Sequence, residues 1–144
     1  MKTLNENSAK IFCRLIDKMN GKQHLKIVNE PYMPLTIEQI GEGIGTPWGD
    51  GVLYSLCHYY EQNGDLMQDP EMCFVVVDKR GNDSTAWEHV EIVPYRFEQA
   101  NLAIYQQSVI IKDNRLAKFH RVQQADHAEF ANIWLSNIEQ QRFI

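Results

Sequence analysis

Residues 52–77 read VLYSLCHYYEQNGDLMQDPEMCFVVV, and the two apolar arms on either side of Asn63-Gly64 decide the fold. Val52 to Gln62 is rich in aromatic and aliphatic side chains, and Met72 to Val77 is apolar throughout. Asn-Gly between such runs is the strongest short hairpin signal, because both residues accept the positive φ of a tight turn. The stretch predicts two antiparallel strands. Asp65 to Pro70 is polar and rich in turn formers, so the connection is expected to exceed two residues. A hairpin centred near Asp65 would set Cys57 opposite Cys73. Alternation along the first arm puts Tyr54, Leu56, His58 and Tyr60 on one face, and Ser55, Cys57, Tyr59 and Glu61 on the other.

Working outward, period two persists. Leu25 and Ile27 alternate with Lys26, and Leu35 and Ile37 with Thr36 and Glu38, with Pro31 and Pro34 breaking the chain between them. Five of the eight glycines fall between residues 41 and 51, a density that predicts a loop. Beyond the hairpin, Trp87 to Val93 and Leu102 to Ile111 alternate again. Asp113-Asn114 then offers a tight turn into Leu116 to Arg121, although Leu116, Phe119 and Val122 also fit a helix over 114–122.

At both ends of the chain the period changes to that of a helix. Ile11, Phe12, Leu15, Ile16 and Met19 form an apolar stripe that predicts a helix over 6–20, with Gly21 as its left-handed cap. Asp126 and Glu129 form a capping box ahead of Phe130, Ala131, Trp134, Leu135 and Ile138, which predicts a second helix over 126–141. The expected fold is α+β: a mainly antiparallel sheet of five or more strands flanked by N-terminal and C-terminal helices, in a single domain over 1–144.

Composition narrows the class. The chain has 144 residues, 44% hydrophobic and 23% charged, with a formal net charge of −5. These are values of a globular protein that builds its core without disulfides or metal. No apolar run is long enough to span a bilayer, and the polar start lacks the apolar core of a signal peptide, so the expected compartment is the cytoplasm and no membrane partner is expected. Cys13, Cys57 and Cys73, odd in number and irregular in spacing, read as reduced thiols filling the core.

The chemical motifs fail in detail. Gly41-x-Gly43 is followed by Thr46 where a dinucleotide fingerprint needs its third glycine, and no Gly-Lys-Ser/Thr occurs. Cys57, His58 and Cys73 do not make a four-ligand metal set, since neighbours on a strand face opposite sides. His24, His89, His120 and His127 form no His-Glu-x-x-His pattern, and no Gly-x-Ser-x-Gly is present. No catalytic residue, metal ligand or cofactor is therefore assigned.

Two features stand out. Strand alternation allows His58 and Tyr60, with Glu61 and Gln62 beside them, to bind a small polar group or a partner strand, although turn chemistry alone also explains Asn63, Gly64 and Asp65. Charge is also uneven. Residues 61–91 hold eight carboxylates against two cations, whereas 112–121 holds Lys112, Arg115, Lys118 and Arg121 against Asp113 alone.

The run His58-Tyr59-Tyr60-Glu61-Gln62-Asn63-Gly64-Asp65 resembles the His-Tyr-aromatic-Glu-Gln-Asn-Gly-Asp hairpin of an uncharacterised domain-of-unknown-function family carried by bacterial mobile elements, more distantly similar to YqiB-like proteins. The Leu102-x-Ile104-Tyr105-Gln106 stretch and the Phe130 to Phe143 ending follow the same layout. The resemblance implies a fold and a genetic setting, and no activity or cofactor. Two functions are expected from these features: a small binding or adaptor domain for a protein or a small polar ligand, centred on His58, Tyr60, Glu61 and Gln62, or a nucleic-acid contact protein using the basic segment. An enzyme ranks third, because no acid, base and nucleophile set can be picked out. The negative total charge predicts no measurable binding to generic duplex DNA near physiological ionic strength.

Overall fold

In the computed structural model, which describes residues 1–144, strands β3 (Gly49–Gln62) and β4 (Asp65–Asp78) form the central hairpin. Asn63 and Gly64 alone make the turn, with φ of 53° and 86°. The longer connection expected from Asp65 to Pro70 is absent, and those residues are strand. Their polarity reflects the exposure of a projecting arm rather than turn formation. The tight turn also fixes the register. Gln62 pairs with Asp65 and Tyr59 with Gln68, a shift follows between Cys57 and Tyr59, and Cys57 then lies opposite Glu71 while Cys73 lies opposite Ser55. The two thiols are therefore not partners across the hairpin.

Met72 to Val77 is apolar without interruption because β4 is buried on both faces. Met72, Phe74 and Val76 join the larger core, while Cys73 and Val75 join a smaller one on the other side of the sheet. The eight-stranded sheet has the order β6-β5-β4-β3-β2-β8-β7, with β1 (His24–Ile27) pairing antiparallel to β2 (Leu35–Thr46) off this path. The remaining strands are β5 (Val90–Gln99), β6 (Ile104–Gln107), β7 (Val109–Lys112) and β8 (Arg115–Phe119). Every pairing is antiparallel except the short contact of β2 with β8.

The glycine-rich stretch is not one long loop as expected but two strands joined by a two-residue turn at Pro47-Trp48. Register shifts between Gln39 and Gly41, and between Gly41 and Ile44, bend β2 where Gly43 takes a φ of 70°. Gly51 on β3 serves packing instead: a Cβ there would lie 2.5 Å from Val75 Cγ1. The apolar run from Leu102 to Ile111 is also divided, into a helical turn over 100–102, β6 and β7. The break falls at Ser108, whose N–H donates to Tyr95 O at 2.9 Å and whose carbonyl accepts from His120 N at 2.8 Å. These bonds fold the β7–β8 hairpin back towards β5, over Ile44, Val75, Val93 and Tyr95. Of the two readings of 114–122, the strand holds to Phe119, and Asp113-Asn114 forms the turn with φ of 53° and 57°.

Two helices cover the opposite face. Helix α1 (Glu6–Met19) is capped by Asn5, which accepts from Ser8 N, and ends with Asn20 rather than Gly21 in the first left-handed position. Helix α2 (Arg121–Gln140) begins five residues before the expected capping box, with His120 as its N-cap. Gln124 explains the earlier start. It is buried in the first turns and exchanges two hydrogen bonds with the Lys2 backbone, at 2.7 and 2.8 Å, a tertiary contact with no local signature. Phe12, Leu15, Leu56, Phe74, Trp134 and Leu135 centre the core between helices and sheet. No helix is long and apolar enough to cross a membrane.

Candidate functional site

The sheet face turned away from the helices carries most of the polar chemistry. Residues paired across adjacent antiparallel strands share a face, and the register aligns His24, Glu38, Ser55, Cys73 and Arg96 in one row. Lys26, Thr36, Cys57, Glu71 and Glu98 make the next. In the middle, Glu71 is buried but not isolated: one carboxylate oxygen accepts from Ser55 Oγ and the other lies 3.4 Å from Arg96 Nη2. The Arg96 guanidinium in turn lies 5.8 Å from the Tyr105 ring centre. A hydroxyl and a cation together make the buried carboxylate tolerable.

The neighbouring thiols and phenols are held neutral. Burial pushes the Cys73 thiol up to about 12, and pushes Cys57, Tyr59 and Tyr95 up as well. A thiol that does not ionise near neutrality is a poor nucleophile and metal ligand. All three cysteines are free and buried, as core-filling thiols should be.

Beside this buried centre the face opens into a cleft of about 560 Å³, within the size range of small-molecule sites. One wall is the paired strands β1 and β2, through His24, Lys26, Thr36 and Glu38; the other is the β3–β4 arm, through Tyr59, Tyr60, Glu61 and Leu66. Consecutive residues of β3, Tyr59, Tyr60 and Glu61, reach the same cleft just beyond the register shift, whose extra residue lies on β4. None of the molecule's ion pairs involves Lys26, Glu38 or Glu61.

The structure divides the four residues expected to bind together. Tyr60 and Glu61 line the cleft, and Gln62 lies exposed at the end of the arm. His58 turns to the helix side. Its Nδ1–H donates to Met33 O at 3.0 Å, and its ring lies 5.8 Å from Trp134 and 5.4 Å from Phe143. It borders a separate cavity of about 170 Å³ near Asn137. Burial lowers its pKa, so it is a neutral core histidine.

The basic segment is brought together more fully. Lys112 pairs with Arg115 beside the turn, and Ile110 pairs with Lys118, while Ile111 and Leu116 pack inward. Lys112, Arg115 and Lys118 are exposed on the hairpin and Arg121 opens α2. None of these four cations is in an ion pair.

One constellation escaped the sequence. His127 Nδ1 lies 2.8 Å from Ser108 Oγ, and its Nε2 lies 3.0 Å from Gln106 Oε1. With the amide oxygen accepting from Nε2–H, Nδ1 is the acceptor and the serine hydroxyl donates. Burial lowers the His127 pKa and keeps the ring neutral. Ser108 is only 1% exposed, so the set ties α2 to the sheet and presents no nucleophile to solvent. No spacing rule could have found it, since the curl of the sheet makes the contact.

No curated protein and no solved structure matches the chain. Residues 10–144 match the model of a domain of unknown function, DUF6908, which covers α1 from Lys10 onward, all eight strands and α2. The chain belongs to the DUF6908 family.

Proposed function

We propose that the protein is a one-domain binding or adaptor module, without catalysis of its own, whose ligand seats in the cleft between β1–β2 and the β3–β4 arm. The observation that carries this is the lining: two half-exposed tyrosines beside Lys26, Glu38 and Glu61, all three charges without an intramolecular partner. Aromatic walls with a few convergent polar groups are the general make-up of a ligand site. Tyr60 and Glu61 contact the ligand, Gln62 meets the part that extends past the arm, and His58 holds the base of the arm against α2. Service to a bacterial mobile element is part of this proposal and rests on the hairpin resemblance. A panel of small polar fragments, followed through backbone amide shifts, tests it: saturable shifts should cluster at residues 24–26, 36–38 and 59–61 and disappear in Tyr60→Ala. Fragments clustering elsewhere, or binding unchanged by that substitution, would remove the cleft from consideration.

A second reading is favoured by the four unpaired cations. Lys112, Arg115, Lys118 and Arg121 would contact nucleic-acid phosphates, with salt dependence as the measurement that separates this from the cleft.

A further inference from the structure

We infer that the cleft selects an organic cation, a guanidinium or ammonium group, an inference that rests on the cleft being the ligand site. Its fixed charges are two carboxylates, Glu38 and Glu61, against one ammonium, Lys26. None of the three is neutralised within the molecule. A ligand anion would therefore find one cation and two repelling carboxylates. A ligand cation finds the reverse.

The aromatic lining points the same way. Tyr59 and Tyr60 are half-exposed, so part of each ring remains available, and the π face of a tyrosine attracts a cation while offering an anion nothing. Glu38 and Tyr59 both line the cleft, so its walls carry a carboxylate as well as an aromatic ring. That combination holds a guanidinium by stacking on one side and by charge-assisted hydrogen bonds on the other. The surroundings add to the bias, since the returning strand of the arm carries Asp65 and Asp69 and no cation before Lys79. Glu71 plays no part, being occupied by Ser55 and Arg96.

The test uses the full chain and three capped amino acids: acetyl-arginine amide, acetyl-leucine amide and acetyl-aspartate amide, with binding followed through backbone amide shifts. The arginine probe should shift the amides of 24–26, 36–38 and 59–61 saturably, at least fivefold more tightly than the other two. Glu38→Gln with Glu61→Gln should weaken it at least fivefold while leaving the remaining amide spectrum in place. A blocked pentapeptide with a central arginine, binding at least fivefold tighter than the capped residue, would mark a protein side chain as the source; equal affinity would mark a free small cation. Preference for the leucine or aspartate probe in the same cleft, or arginine binding untouched by the double substitution, would overturn the cation and leave the cleft standing. If no probe moves a cleft amide, both the cation and the cleft fall.

Discussion

Ser108 and His127 meet at 2.8 Å, hydroxyl to Nδ1, across nineteen residues of chain. The contact is a seam: it joins the break between β6 and β7 to the face of α2 that packs on Phe97. It requires an unprotonated ring, and burial likewise disfavours the charged form of His58.

Acidification should therefore weaken the fold. Burial lowers both His127 and His58 below the ordinary histidine value near 6.5. Below that pH the unfolded chain takes up protons that the folded chain refuses, so stability falls as pH drops, until the folded pKa values are reached. The slope is at most about 1.4 kcal/mol per pH unit for each histidine. Urea unfolding at pH 7.5, 6.5 and 5.5 should show decreasing stability, and His127→Gln should flatten the decline while lowering stability at pH 7.5. An equal slope in both proteins would count against the neutral seam.

Arg80 is a second long-range tie. Its two Nη atoms each lie 3.0 Å from an Asp17 oxygen on α1, its Nε and Nη2 bond Asp78, and Nη1 also reaches Ser84 O. The side chain is 8% exposed, whereas its partners reach water, at 52% for Asp17 and 33% for Asp78. Arg80→Ala should cost about 2–3 kcal/mol, below the range for a fully buried pair. Arg80→Lys should cost roughly 1–2 kcal/mol, because an ammonium cannot reproduce the planar fork. Chemical denaturation measures both, and a lysine variant as stable as the native chain would show that charge alone suffices.

Gly51 and Val75 are coupled by contact. A methyl at Gly51 would fall 2.5 Å from Val75 Cγ1, so Gly51→Ala should cost about 1–3 kcal/mol by overpacking. Val75→Ala alone leaves a void. The double variant should lose less than the two single losses added together, since the added methyl occupies space the valine vacated. Strict additivity would mean that the backbone moves instead.

These residues show why the sheet was legible from the sequence and its curvature was not. Alternation and Asn63-Gly64 reveal the central hairpin because both act over neighbouring residues. The stripes of α1 and of the later turns of α2 are equally local. The glycines from 41 to 51 resemble a loop, because a sequence cannot separate a glycine needed for a bulge from one needed so that Val75 can approach. The start of α2 depends on Gln124 meeting the Lys2 backbone, and the seam at Ser108 on strands far apart in the chain. The cleft was half legible: Tyr60 and Glu61 were visible as unusual, but alternation, which groups His58 with Tyr54 and Leu56 and Tyr59 with Ser55 and Cys57, does not tell which face is the core and which opens into the cleft.

The basic hairpin gives the sharpest choice between the two functional readings. Lys112, Arg115 and Lys118 are exposed on one hairpin with Arg121 just beyond, so up to four phosphates could be met at once. Four neutralised phosphates on a duplex imply a log-log salt slope of roughly −3.6, at about −0.9 for each. Doubling the salt would then cut affinity about twelvefold by that slope. The rest of the surface opposes such binding, because a net charge of −5 that includes these four cations leaves −9 elsewhere. Contacts too few to outweigh that repulsion should leave no measurable affinity for generic duplex DNA near physiological ionic strength, in a fluorescence anisotropy titration. A micromolar affinity that falls with salt on the steep slope, and vanishes when Lys112, Arg115 and Lys118 become glutamate, would move the function from the cleft to the hairpin.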